Sequence, residues 1–157
     1  MATQERQRGS TTPSTPISLR LQRTFAAPPE RVFRAWTTPA EMKRWKAPGD
    51  MSTPLAEVDL RPGGRYRIHM RAPDGAVHHL TGVYRVVEPP TKLVYTWRWE
   101  HEPDAPEMLV TVEFRGRGDT TELVLTHELL PNEASKQAHE HGWTGCFEKL
   151  APVVQSH

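Results

Sequence analysis

The chain has 157 residues, of which 36% are hydrophobic, and its charged side chains nearly cancel to a formal net charge of +1. This length fits one domain with its own core, and the charge balance excludes a global field that would hold it on DNA, RNA or an anionic membrane. No stretch approaches the roughly 18 apolar residues of a membrane span. The single cysteine, Cys146, suits a reducing compartment, and the N-terminus does not resemble a signal peptide. These features predict a cytoplasmic protein.

The N-terminal segment differs in composition from the rest of the chain. Residues 1–15 are polar and rich in Ser and Thr, so they cannot bury enough apolar surface to offset their ordering entropy. The sequence therefore predicts a disordered tail over 1–15 and one folded domain over 16–157. The domain is expected to open with a strand over 17–25, where Ile17, Leu19 and Leu21 alternate with polar residues.

Two short helices are expected next. Pro29 stands early in the first, where a missing N–H costs nothing, and Val32 and Trp36 lie on its apolar face. The pattern restarts at Pro39 and carries Trp45 in a second helix. The pair is similar in outline to a helix-turn-helix, but it presents no basic recognition helix, so packing is the expected role.

Six strands follow, each with alternating apolar residues. They are predicted over residues 54–60, 65–71, about 80–86, 92–100, 108–114 and 122–127. Gly63-Gly64 is expected to supply positive φ in the first turn. In the strand before Pro89-Pro90, one face is expected to carry Leu80, Gly82, Tyr84 and Val86. Short strands joined mostly by turns favour an antiparallel sheet with one buried face.

The last element is a helix from Glu133 to about Val154, with Asn132 as its N-cap. Apolar residues recur along it with helical spacing, and Gly142 stands inside it, which indicates close approach of the sheet or room for something else. The order of elements predicts an α+β fold. In it, a curved antiparallel sheet of about seven strands wraps around the long C-terminal helix.

Several motifs of the chain, in this order, resemble a known family. They are Ala35-Trp36-Thr37, the stretch from Asp59 to Tyr66, Gly82-Val83-Tyr84, Pro89-Pro90 with Lys92-Leu93-Val94, Thr96-Trp97, Val110–Phe114, Thr121-Glu122-Leu123 and His139–Trp143. Together they resemble the START-like or SRPBCC superfamily, and within it the subfamily named after the activator of heat-shock-protein-90 ATPase. The resemblance covers about residues 17–154.

The resemblance implies a helix-grip fold, in which sheet and long helix enclose a cavity for lipids, sterols, polyketides, hormones or aromatic compounds. Some members of the superfamily catalyse cyclisation or aromatisation of polyketides, and the subfamily name comes from a eukaryotic co-chaperone domain. Two segments depart from the family pattern near the expected cavity mouth. Residues 45–49 read Trp-Lys-Ala-Pro-Gly where many relatives carry Trp-Trp, and the loop 101–106 is acidic and proline-rich.

Aromatic and polar side chains predicted to point inward are the candidate ligand-binding residues. They are Trp36, Tyr66, Tyr84, Tyr95, Trp97, Trp99, His127, His139 and Trp143. Tyr and Trp combine a large apolar body with one hydrogen-bonding tip, which suits a small-molecule pocket. His127 is the best candidate for orienting a ligand or moving a proton, because imidazole titrates near neutral pH. The alternative is that these side chains fill the core.

Metal and nucleophilic chemistry have little support in the sequence. His78 and His79 point to opposite faces of a strand, and His139 and His141 point apart on a helix, so neither pair can chelate one ion. Cys146 lies in an apolar helical stripe and is expected to be a core residue. The sequence therefore predicts no metal, no cofactor and no identifiable catalytic group.

The sequence is compatible with three functions. The first is binding of a small hydrophobic or aromatic molecule in an internal cavity. The second is a cyclase- or aromatase-like enzyme that uses pocket Tyr and His side chains. The third is a protein-interaction module with a chaperone partner, as the subfamily name suggests. A homodimer through an edge strand is also left open.

Overall fold

The computed structural model describes residues 17–155, except residues 101 and 103. The predicted tail over 1–15 lies outside the described residues. Within them the elements are β1 (Ile17–Phe25), α1 (Pro29–Thr37), α2 (Pro39–Trp45), β2 (Ser52–Val58), β3 (Arg65–Arg71), β4 (Val77–Glu88), β5 (Lys92–Trp99), β6 (Met108–Arg117), β7 (Thr120–Leu130) and α3 (Glu133–Gln155). The predicted order of elements is confirmed.

The strands form one seven-stranded antiparallel sheet in the order β1-β7-β6-β5-β4-β3-β2. The first described strand, β1, therefore pairs with the last one, β7, and all other neighbouring strands are consecutive in sequence. The sheet is curved and wraps around α3, which is the α+β helix-grip arrangement predicted from the sequence. None of the helices in the described part of the chain has the length and apolar character needed to cross a bilayer.

The C-terminal half of α3 packs into the core at one end of the sheet. Phe147 meets the ring of Phe25 edge-on at 6.1 Å between centroids, and Leu150 is fully buried. The two short helices close this end, since Trp36 and Trp45 are both buried there with ring centroids 4.5 Å apart. The burial of these aromatic faces accounts for the two helices as packing elements.

A β-bulge changes the buried face of β4. Tyr84 pairs with Tyr95, whereas Val86 pairs with Val94, so β4 has one extra residue at this point. After the bulge Val87, and not Val86, packs against the core. The prediction that Val86 shares a face with Tyr84 was therefore wrong, because strict alternation does not survive an inserted residue.

Local turn and cap chemistry is mostly as expected. The side chain of Asn132 accepts a hydrogen bond from the Ser135 backbone N–H at 2.8 Å, which confirms the N-cap of α3. In the turn after β2, only Gly63 has positive φ, at 86°. Gly64 is required for another reason: a Cβ there would lie 2.0 Å from the carbonyl oxygen of Asp59. Strand β2 ends at Val58, two residues before the predicted limit, because Asp59 begins this turn.

Candidate functional site

The main cavity lies between the N-terminal half of α3 and the strands β3 to β6. Its volume is about 690 Å³. The lining residues are Lys46, Pro48, Met51, Met70, His78, Trp97, Trp99, Glu102, Pro106, Met108, Pro131, Asn132, Ala134, Ser135, Ala138, His139, Gly142, Trp143 and Cys146. Most of these side chains are apolar, and the polar ones come from loops, from α3 and, in the case of His78, from β4.

Four of the nine predicted site residues line this cavity: Trp97, Trp99, His139 and Trp143. Trp97 and Trp99 are two residues apart on β5, so both point to the concave face, and their rings meet edge-on at 5.6 Å. Trp143 comes from α3 and lies 5.0 Å from the Trp97 ring. Strand alternation and helical spacing thus bring three indoles to one wall.

His139 is held in one tautomer by its neighbours. Its Nδ1 lies 2.8 Å from the carbonyl oxygen of Ser135, which can only accept, so Nδ1 carries the proton. Its Nε2 accepts a hydrogen bond from Trp99 Nε1–H at 3.0 Å. Burial lowers the pKa of His139, and the carbonyl of Ser135 and the carboxylate of Glu102 oppose this shift. The ring is therefore a neutral, fully bonded part of the wall.

His127 lies behind the wall rather than in it. The side chain is completely buried on β7, and its Nδ1 accepts a hydrogen bond from Trp143 Nε1–H at 3.1 Å. Burial, assisted by the charges of His139 and Lys46, lowers the pKa of His127 to about 3. The imidazole is therefore neutral at physiological pH, and it positions Trp143 rather than lining the cavity.

The other four predicted residues form a separate packed layer. Trp36, Tyr66, Tyr84 and Tyr95 surround a gap of about 10 Å³, which is about the volume that one water needs. Trp36 Nε1–H donates to the hydroxyl of Tyr95, and the Tyr66 hydroxyl donates to the carbonyl of Thr96. Burial raises the pKa of all three tyrosines. The structure thus places these side chains outside the main cavity, as neutral core groups.

The residue that sequence reasoning missed is Lys46, which follows α2 and is only 2% exposed. It lines the main cavity and also the small gap beside the tyrosines. Five aromatic rings surround its ammonium group within 6 Å of Nζ. They belong to Trp143 at 4.5 Å, Trp45 at 5.1 Å, Trp97 at 5.2 Å, Trp36 at 5.6 Å and Tyr95 at 5.8 Å.

The buried environment of Lys46 makes its charged form less favourable. Burial lowers the pKa of Lys46 to about 8, and the neighbouring Cys146 opposes this shift. Within the described part of the chain, Nζ forms no hydrogen bond and no ion pair. The only signal in the sequence was the departure from the family pattern at 45–49, where Lys46 follows Trp45 in place of a second tryptophan.

Helix α3 holds the segment after Lys46 in place. The Lys149 ammonium group donates to the carbonyl oxygens of Ala47 at 2.5 Å and Met51 at 3.0 Å. Gly145 lets Pro48 approach closely, since a Cβ at that glycine would lie 2.8 Å from the proline Cβ. These contacts fix the segment that carries Lys46 as one rim of the cavity.

Cys146 lines the cavity but is not activated. Its thiol donates to the carbonyl oxygen of Lys46 at 3.2 Å. Burial raises the pKa of Cys146 to about 11, although Lys46 and Lys149 act in the opposite direction. The thiol therefore stays protonated and unreactive at neutral pH. Across residues 17–155, as far as the structure describes them, no three His, Cys, Asp or Glu side chains gather around a possible metal position.

Comparison with protein families gives one match that spans most of the chain. The sequence model of the family described as Activator of Hsp90 ATPase homolog 1-like protein matches residues 26–155. This range includes α1 to α3 and all the residues that line the main cavity. None of the curated proteins matches significantly.

Solved structures share the fold at low sequence identity. A protein from Chromobacterium violaceum is 28% identical with a TM-score of 0.81, over 89% of this chain and 98% of that one. A protein from Silicibacter pomeroyi is 29% identical with a TM-score of 0.78, over 90% and 100%. A protein from Nitrosomonas europaea is 25% identical with a TM-score of 0.76, over 88% and 94%. These proteins are similar to this chain along nearly its whole folded part.

Proposed function

We propose a ligand-binding function for this chain, which belongs to the family described as Activator of Hsp90 ATPase homolog 1-like protein. The ligand is a small hydrophobic or aromatic molecule held between the sheet and the N-terminal half of α3. The observation that carries the proposal is a cavity of about 690 Å³ with three indoles in its wall. Small-molecule sites typically have volumes of about 300–1,000 Å³ and a mainly apolar lining.

The size of the cavity supports an occupant. Protein interiors are close-packed and hold few voids larger than a water molecule, because atoms along an empty wall lose their dispersion contacts. Apolar side chains such as Met70, Met108 and Trp97 line this space without filling it. An apolar ligand body would restore those contacts.

The two alternative functions have weaker support. The predicted cyclase-like enzyme needs a Tyr or His side chain that can exchange a proton with a substrate in the cavity, whereas His139 has both ring nitrogens engaged and His127 is buried behind the wall. A docking surface for a partner protein is typically marked by a contiguous exposed apolar patch. Among the described residues, the large hydrophobic side chains classed as exposed are Leu60 and Leu129 alone. A chaperone partner, a homodimer and a cytoplasmic location stay predictions.

The proposal can be tested by native mass spectrometry of protein purified from its own host, followed by thermal-shift measurements with aromatic and lipid compounds. We expect a copurified molecule, or a melting temperature that rises with ligand concentration as mass action requires. Gly142 lines the cavity, so Gly142→Leu should abolish that rise by filling the space. His141→Leu is the matched control, because residue 141 is exposed on the same helix. An empty protein that responds to none of the compounds would contradict the proposal.

A further inference from the structure

The cavity contains a buried cation that has no counter-ion among the residues the structure describes. The Lys46 side chain is almost fully buried and lines the cavity, and no carboxylate of the described residues forms an ion pair with it. An ammonium group has three N–H donors, and aromatic faces attract its charge without supplying an oxygen acceptor. Burying an unpaired charge is expensive, so this position requires a compensating group from elsewhere.

Two further donors lie beside Lys46 without an acceptor. His127 Nδ1 accepts a hydrogen bond from Trp143, so the ring proton is on Nε2, and that atom has no partner among the described residues. Trp97 Nε1–H is also buried, and no described residue accepts a hydrogen bond from it. The Trp97 ring lies between the other two groups: its centroid is 5.2 Å from Lys46 Nζ and 5.2 Å from the centroid of the His127 ring. Buried polar groups normally find a partner. Neither N–H is accessible from the cavity, so the two donors add positive potential beside Lys46, and Lys46 is the group that lines the cavity and lacks an acceptor.

The acceptors of the cavity wall lie elsewhere or are already in use. Glu102 is an exposed residue of the loop before β6, and the carbonyl of Ser135 is bonded to His139. The wall around Lys46 is made of indole rings. The cavity therefore has a positive charge at Lys46, whereas the remaining wall is mostly apolar.

We propose that the ligand is an aromatic or alicyclic carboxylic acid whose carboxylate pairs with Lys46 while its apolar body lies against Trp97, Trp99 and Trp143. This inference rests on the proposed ligand-binding function and assigns the charge of the ligand. A carboxylate supplies acceptor oxygens for the ammonium group. Lys46 then acts as the residue that selects acids over neutral molecules of the same shape.

The test compares two probes of nearly equal shape, 2-naphthoate and 2-naphthamide, by isothermal titration calorimetry at pH 7. We expect the wild type to bind the acid about ten- to a hundredfold more tightly, as a charged hydrogen bond implies. Lys46→Met keeps an unbranched side chain that is one heavy atom shorter and removes the charge, and it should reduce that ratio to near one. Lys43→Met removes a lysine from the exposed surface of α2 and should leave the ratio unchanged.

A second measurement uses the wild type alone, in case Lys46→Met does not fold. The ratio should fall between pH 7 and pH 10, because Lys46 loses its proton with a pKa of about 8. Of the groups that face it, Cys146 stays mostly protonated because its pKa is about 11. His127 is neutral throughout, and burial keeps the Tyr95 hydroxyl protonated by raising its pKa.

The outcomes separate the two proposals. Equal binding of both probes by the wild type, or a preference for acid that persists in Lys46→Met, would overturn the carboxylate assignment and leave the ligand-binding function intact. Failure of the folded wild type to bind either probe would count against the ligand-binding function itself. A preference that disappears both in the variant and at high pH supports the assignment.

Discussion

The ammonium nitrogen of Lys46 lies 4.5 Å from the centroid of the Trp143 ring, and both side chains are almost completely buried. Trp143 is in turn fixed by its hydrogen bond to His127. A cation at the end of α2, an indole on α3 and an imidazole on β7 thus meet at one point of the cavity. Because each comes from a different part of the chain, the charge of this site depends on the packing of the whole domain.

Lys46 should make stability depend on pH in the alkaline range. A lysine titrates at about 10.4 in the unfolded chain, but the pKa of Lys46 is lowered to about 8 in the folded one. Below pH 8 the folded state bears the full cost of the charge; between pH 8 and 10.4 only the unfolded state holds the proton, so stability rises with pH. Relative to Lys46→Met, we expect the free energy of unfolding of the wild type to rise by about 3 kcal/mol from pH 7 to 10.5.

This gain is measured as the difference between the urea-unfolding free energies of the two proteins at each pH. Other alkaline titrations are common to both and largely cancel in the difference. A difference that stays constant over this range would mean that Lys46 is solvated like a surface lysine.

His127 should destabilise the fold in acid. Its pKa is about 3 in the folded chain and about 6.5 in the unfolded chain, so the unfolded state takes up a proton first as the pH falls. Stability is therefore fully present above pH 6.5 and is lost between pH 6.5 and 3. His127→Gln retains an acceptor for Trp143 but does not titrate. Over this range its free energy of unfolding should fall by up to about 5 kcal/mol less than that of the wild type.

Chemical unfolding at several pH values checks this expectation for His127. The neighbouring His139 and Lys46 are present in both proteins, so their titrations contribute similarly to each. Parallel pH curves for the two proteins would show that His127 is not held neutral by the fold.

Two glycines of α3 should respond oppositely to alanine. At Gly142 a Cβ would meet Pro48 Cγ at 4.0 Å, which is an ordinary contact, whereas at Gly145 it would lie 2.8 Å from Pro48 Cβ. Gly142→Ala should therefore stabilise the helix by about 0.5–1 kcal/mol, and Gly145→Ala should be destabilising because Pro48 must move. Thermal unfolding of both variants measures this contrast, and similar effects of the two substitutions would contradict the contact with Pro48.

Two aromatic substitutions should separate the cavity from the core. Trp97→Ala and Tyr84→Ala each remove a buried ring and should cost about 3–5 kcal/mol. Only Trp97 lines the main cavity, so only its loss should change the affinity for 2-naphthoate by more than about tenfold, as expected for a central contact residue. Calorimetry below the unfolding temperature measures both variants.

Arg98→Ala serves as the control for these two variants. Arg98 follows Trp97 on β5 but is exposed on the opposite face of the sheet, so its loss should change neither core packing nor affinity. If Arg98→Ala lowered the affinity as much as Trp97→Ala, the assignment of faces along β5 would be wrong.

Much of the fold could be predicted because the pattern of the chain is local. Alternation along the strands, prolines at the starts of the short helices and Asn132 before α3 each act through neighbouring residues. The bulge in β4 could not be predicted from alternation, because an extra residue is recognised only against its partner strand. It moved the buried position from Val86 to Val87.

The glycine inside α3 had two predicted explanations, close approach of the sheet or room for something else. The structure places Gly142 in the wall of the cavity, near Pro48 rather than against the sheet. The closer contact belongs to Gly145, which the sequence pattern did not single out. Which glycine meets a neighbouring segment depends on the position of the 46–51 loop, and no periodicity in the helix contains that information.

The sequence by itself determined the order of elements, the inward faces of β5 and α3, and the presence of aromatic side chains on them. Only the tertiary structure decided which aromatics close into a packed layer and which surround an open space, because curvature and helix position set the distance between facing walls. It also decided the charge of the site. Lys46 looks like a surface residue in the sequence, and it becomes a buried cation because four indoles and a tyrosine ring converge on it from separate elements.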